Sequence, residues 1–69
     1  MGNAIIKDKN ILGGEPVFRG TRVPFKALTD YLEGGENLGQ FLEQYPSVTR
    51  QLAIDALEEA RAMLESQLR

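Results

Sequence analysis

The chain has 69 residues, 42% of them hydrophobic, with no cysteine, no histidine and a formal net charge of −2. That length accommodates one domain with one core, and the missing thiols and imidazoles exclude a disulfide framework, an ordinary zinc ligand set and the usual neutral-pH bases and thiol nucleophiles. A core this small supplies only roughly 3–5 kcal/mol without cross-links or metal, so self-association is expected to supplement it, and neither catalysis nor a cofactor or metal is expected.

No apolar run approaches the ~20 residues of a membrane helix, and the first residues lack the basic-then-apolar pattern of a signal peptide, so a cytoplasmic protein without a membrane partner is expected. The charge is unevenly spread. Lys7, Lys9, Arg19, Arg22 and Lys26 against Asp8 and Glu15 give residues 1–26 a charge of +3, whereas three arginines against eight acidic residues give 27–69 a charge of −5. An anionic partner is therefore expected at the N-terminal half, and the acidic half reads as solvated helix surface.

In chain order, Ala4-Ile5-Ile6, Ile11-Leu12 and Val17-Phe18 read as short extended segments, separated by turns at Asp8-Lys9-Asn10 and Gly13-Gly14. Pro16 cannot donate to a ladder, which places the third segment at a strand start or a sheet edge. An exposed edge there would invite a second subunit. Residues 1–23 are thus expected to form an extended β arm, followed by a three-helix unit over 24–69 in the same single domain.

The first helix is expected to start at Pro24, whose missing N–H suits the first helical position. Phe25, Leu28 and Leu32, with Ala27 and Tyr31 beside them, repeat at helical spacing, and Gly34-Gly35 supplies the stop. Asn37 with Gln40 three residues later is close to a capping box and announces the second helix, with Leu38, Phe41, Leu42 and Tyr45 as its buried stripe. Pro46 ends it. Ser47 or Thr49 caps the third helix, which runs from about Arg50 to the C-terminus, roughly 30 Å. Its stripe is Leu52, Ala53, Ala56, Leu57, Ala60, Met63, Leu64 and Leu68. The second half outruns the shorter helices, so Met63, Leu64 and Leu68 are expected to contact another chain, either a second copy or a partner protein.

Gly13, Gly14 and Gly20 match neither a phosphate loop nor a dinucleotide fingerprint; their expected task is backbone conformation. Glu58, Glu59 and Glu65 fall on the polar side of the third helix, where pairs with Arg61 and Arg69 are ordinary surface contacts. Arg19, Thr21, Arg22 and Lys26 are the candidates for touching a partner or phosphates. The second helix, its Pro46 turn and the third helix also have the lengths of a helix-turn-helix, which would offer Thr49, Arg50 and Gln51, with Ile54 and Asp55, to a major groove. Two antiparallel helices packed only for their core would read the same way, and Glu43 and Asp55 flank the single Arg50.

Gly14-x-Pro16-Val17-x-x-Gly20-Thr21-Arg22-Val23-Pro24, then Gly34-Gly35-Glu36-Asn37-Leu38, Tyr45-Pro46-Ser47-Val48-Thr49 and Ala53-Ile54-x-Ala56-Leu57 together resemble the small bacterial proteins grouped as domain of unknown function 433. The resemblance runs from about Gly13 to Leu57. It implies a mainly α, homeodomain-like three-helix domain acting as the antitoxin of a type II toxin–antitoxin pair, binding a PIN-like ribonuclease toxin and its own operator DNA. The family carries no catalytic residue over to this chain. The expectation is a homodimeric antitoxin; the alternative is a dimerisation or adaptor module without nucleic-acid binding.

Overall fold

Pro24 decides where the first helix begins. A computed structural model describes residues 3–68 and holds Pro24 extended, with ψ 145, so that it caps helix α1 (Phe25–Glu33) rather than opening it. The helix therefore starts one residue later than the proline alone suggests. Phe25 N–H donates to the Pro16 carbonyl at 2.9 Å, which ties the start of α1 to the preceding loop. At the other end Gly35 takes φ +90, while Glu36 N–H reaches the Tyr31 carbonyl and Gly35 N–H the Leu32 carbonyl. That is the Schellman pair of bonds, which satisfies carbonyls the helix itself leaves open.

Helix α2 (Leu38–Gln44) opens on the expected capping box: Gln40 N–H donates to Asn37 Oδ1 and Asn37 N–H to Gln40 Oε1, both at 2.8 Å. Tyr45 leaves the helix before Pro46, as the steric clash with the proline ring requires. Helix α3 (Arg50–Gln67) is capped by Thr49, whose Oγ1 accepts from Leu52 N–H at 3.1 Å.

Two short strands precede the helices, β1 (Ile5–Ile6) and β2 (Val17–Phe18), paired antiparallel with Ile5 opposite Phe18 and Ile6 opposite Val17. The chain is thus mainly α, three helices preceded by a two-stranded hairpin. The expected extended segment at Ile11-Leu12 is not a strand. Leu12–Gly14 form a single 3₁₀ turn, with Leu12 itself at φ 50 and the two glycines at φ 68 and 94. Two consecutive glycines free to adopt positive φ favour closing the chain over extending it.

The N-terminal β hairpin packs into the core. Ala4 and Phe18 are buried in one cluster with Leu28, Phe41, Val48, Ala53 and Ala56. All five aromatic side chains of the protein form one string through this cluster. Phe25, Phe18 and Phe41 follow at 5.8 and 5.9 Å, and Tyr31 and Tyr45 join Phe41 at 5.7 and 4.9 Å. Tilted and edge-on ring pairs of this kind contribute about 0.5–1.5 kcal/mol each beyond their buried area, so one string fastens hairpin, α1 and α2 together. Among the described residues, no helix is long and apolar enough to cross a membrane.

Candidate partner-binding surfaces

The Gly-Thr-Arg segment is a turn built from its own residues. Thr21 N–H donates to the Phe18 carbonyl at 3.0 Å, and Gly20 at the third position of that turn takes φ +77, where a side chain would be strained. Thr21 Oγ1 also donates to the Phe18 carbonyl at 2.8 Å and accepts from Val23 N–H at 3.0 Å. Thr21 is thereby committed to holding the turn. Its neighbours Arg19 and Arg22 are displayed on the outside, both exposed.

The two arginines are not equivalent. The Arg19 guanidinium donates to the Asn3 carbonyl at 3.1 Å and to Asn3 Oδ1, and it shares an open depression with Asp55, Glu58, Glu59 and Arg61. Arg22 has no hydrogen bond or ion pair among the described residues. Lys26 bonds Asp30 one turn along α1 at 2.8 Å; that hydrogen bond and the Asp30 charge hold its ammonium above the usual lysine range. Arg61 is caught between Glu58 at 2.6 Å and Glu65 at 3.1 Å, with its pKa likewise raised, chiefly by the Glu58 hydrogen bond. Arg69 lies outside the described residues.

Glu59 corrects its assignment to the polar surface of α3. It is half-buried, and its carboxylate accepts from Ala4 N–H at 2.5 Å and Ile5 N–H at 3.3 Å. Two backbone donors at the start of β1 are thereby satisfied by one side chain from the far end of the sequence. On its other side β2 is flanked by a bridge between Val17 and Pro24. The exposed Pro16–Phe18 edge expected for subunit pairing is consequently closed within the chain: Val17 and Phe18 are both fully buried.

At the start of α3, Thr49 is occupied as the helix cap and Gln51 donates to Asp55 Oδ1 at 2.9 Å. Arg50, exposed beside them, makes no ion pair among the described residues. A separate depression between α1 and α2 is unfavourable to phosphate, because Asp30, Glu36 and Glu43 line it.

The second half of α3 projects beyond the core. Its last buried residue is Ala56, whereas Met63, Leu64 and Leu68 are 66%, 60% and 75% exposed. Met63 and Leu64, with Ala60 from α3, line an open, mainly apolar groove together with Ile5, Pro16 and Phe25, and Lys7, Glu59 and Gln67 line it as well. The groove thus joins the C-terminal part of α3 to the hairpin that Glu59 fastens there. Among the described residues, no group of three acidic side chains is placed to hold a metal ion.

No curated protein and no solved structure matches the chain. The family model described as protein of unknown function (DUF433) matches residues 5–60, from the first strand through the part of α3 that packs on the core. Residues 61–68, beyond it, are the exposed end of α3 and its cap. With most of its length inside that match, the chain belongs to the DUF433 family.

Proposed function

We propose that this protein is a non-enzymatic binding module, the antitoxin half of a bacterial type II toxin–antitoxin pair that engages a PIN-like ribonuclease and its own operator DNA. The observation that carries the reading is the Gly20-Thr21-Arg22 turn, which fixes a backbone with internal hydrogen bonds and leaves one arginine side chain outside without a partner among the described residues. A nuclease of that type gathers acidic side chains around its metal, and an uncommitted arginine on a fixed backbone is the residue suited to pairing with carboxylates. Arg19 and Arg61 are the weaker candidates, since both are already engaged within the chain.

Co-expression with a PIN-like protein encoded beside this one is expected to give a co-purifying complex and to suppress nuclease activity. Arg22→Glu then restores nuclease activity, while Arg61→Glu leaves suppression largely in place. Full suppression by Arg22→Glu together with loss of suppression by Arg61→Glu would transfer the role to the end of α3; no complex at all would remove the toxin reading.

A second reading, a dimerisation or adaptor module without nucleic-acid binding, is favoured by the start of α3, where Thr49 and Gln51 are both engaged in cis. Retardation of DNA carrying the region upstream of the coding sequence separates the two.

A further inference from the structure

In a regular antiparallel pair, two facing residues exchange both of their backbone hydrogen bonds. Phe18 and Val23 make only one of the two directly, Phe18 N–H donating to the Val23 carbonyl at 3.0 Å. In place of the other, the Thr21 hydroxyl stands between the two groups: it accepts from Val23 N–H at 3.0 Å and donates to the Phe18 carbonyl at 2.8 Å. One step further along, Val17 is bridged to Pro24, and Val17 and Phe18 are fully buried. The stem of the loop is therefore anchored in the core, while the hydroxyl sets how the chain returns to it through Arg22.

Arg22 lies between the residue that supplies the hydroxyl and the residue whose N–H the hydroxyl holds. The peptide units on both of its sides are thereby fixed, and with them the direction in which its side chain leaves the loop. We propose that Thr21 is a positioning residue for partner binding, its hydroxyl setting the exposed Arg22 toward the carboxylate cluster of the toxin; this rests on the toxin-binding function proposed above. The gain lies in ordering that is complete before the partner arrives, since a loop that must be ordered on binding subtracts from affinity.

Arg19, at the other end of the loop, is held by different means. Its N–H donates to the Ala4 carbonyl at 2.8 Å and its guanidinium is bonded to Asn3. Of the two arginines, only Arg22 depends on the hydroxyl. Thr21→Val keeps the branched shape but neither accepts nor donates, so it leaves Val23 N–H without its acceptor, whereas Thr21→Ser retains both bonds.

The test uses the full chain and the PIN-like protein encoded beside it, with affinities from titration calorimetry arranged as a double-mutant cycle over Thr21 and Arg22. Thr21→Val is expected to weaken the complex by about tenfold, within the range for residues coupled in one network, and by less than about twofold when Arg22→Ala is already present. Thr21→Ser keeps the native affinity. Thr21→Ala, which removes the hydroxyl without adding an apolar branch, should behave as Thr21→Val and covers the case in which valine disturbs the fold. In the chain without its partner, ¹⁵N relaxation should find Arg22 and Val23 ordered in the native protein and in Thr21→Ser but disordered in Thr21→Val, with Arg19 ordered throughout. No loss of affinity in Thr21→Val, an equal loss with and without Arg22, a loss that Thr21→Ser shares, or a loop that stays ordered in Thr21→Val overturns the positioning role. A complex indifferent to Arg22→Ala, or no complex, overturns the toxin reading, and the role falls with it.

Discussion

Glu59 shows how one side chain changes the meaning of a whole segment. Its carboxylate receives two backbone donors from residues 54 and 55 positions away, and a partner that distant leaves no periodicity, spacing or composition to read. The sequence shows a third acidic residue on a helix rich in them; only the packed hairpin makes it different from Glu58 and Glu65, which pair with Arg61 at the surface. Thr21 was legible as part of a motif but not in its role, because a hydroxyl that closes a turn and one that meets a phosphate look alike in sequence. Removing the Glu59 carboxylate leaves two partly buried N–H groups without their acceptor, and hydrogen bonds to a charged group contribute about 1.5–3 kcal/mol. Glu59→Ala is therefore expected to destabilise the domain by about 2 kcal/mol, lowering the melting temperature by about 8 °C or more in a chain of this size. Amide exchange at Ala4 and Ile5 should accelerate selectively. Equal acceleration throughout the chain, or none at those two amides, would show that the contact does not hold the hairpin.

Elements with local punctuation were the legible ones. Asn37 and Gln40, Thr49, Pro46 and the Gly34-Gly35 pair each act within a few residues of themselves, so the starts and stops of α2 and α3 follow from the sequence with little displacement. The 2-residue strands are less legible, since what defines them is contact with distant elements: Ile11-Leu12 has the same apolar character as Ile5-Ile6 but is not a strand, Ile11 staying extended as the cap of the 3₁₀ turn that Leu12 enters. The caps also carry functional weight, because Thr49 was a candidate for base contact and its hydroxyl is already accepting from Leu52 N–H. An N-cap residue exchanged for alanine costs about 0.5–2 kcal/mol, so Asn37→Ala and Thr49→Ala should each lower stability within that range in denaturant titrations, with unchanged slope. Thr49→Ser should restore most of the loss. If Thr49→Ser instead retains full stability but abolishes binding to a particular DNA sequence, the threonine methyl is contributing to recognition as well as capping the helix.

For the whole molecule, the binding surfaces separate by what remains free after the fold has used its own side chains. The charge asymmetry between the two halves was visible in the sequence, but which cations it leaves available was not: Arg19, Lys26 and Arg61 are held by partners in the chain, whereas among the described residues Lys7 and Lys9 on the N-terminal loop, and Arg22 and Arg50 on the two proposed contact surfaces, make no such bond. The expected homodimer then presents those two arginines twice, or about four phosphate contacts rather than the six that Arg19, Arg22 and Lys26 would give. At a slope of about −0.9 per phosphate, four contacts correspond to a loss of about a hundredfold in affinity between 50 and 200 mM salt. Titration of operator DNA over that range is expected to give a log–log slope near −4, and Arg22→Ala should flatten it by about two units while weakening all sequences alike. Replacing Arg50 or Gln51 should shift preference between sequences, if α3 enters the major groove. A slope that stays steep in Arg22→Ala while sequence preference is indifferent to both Arg50 and Gln51 would place the DNA contact on neither surface, and leave the chain a protein-binding module whose exposed α3 end is its principal interface.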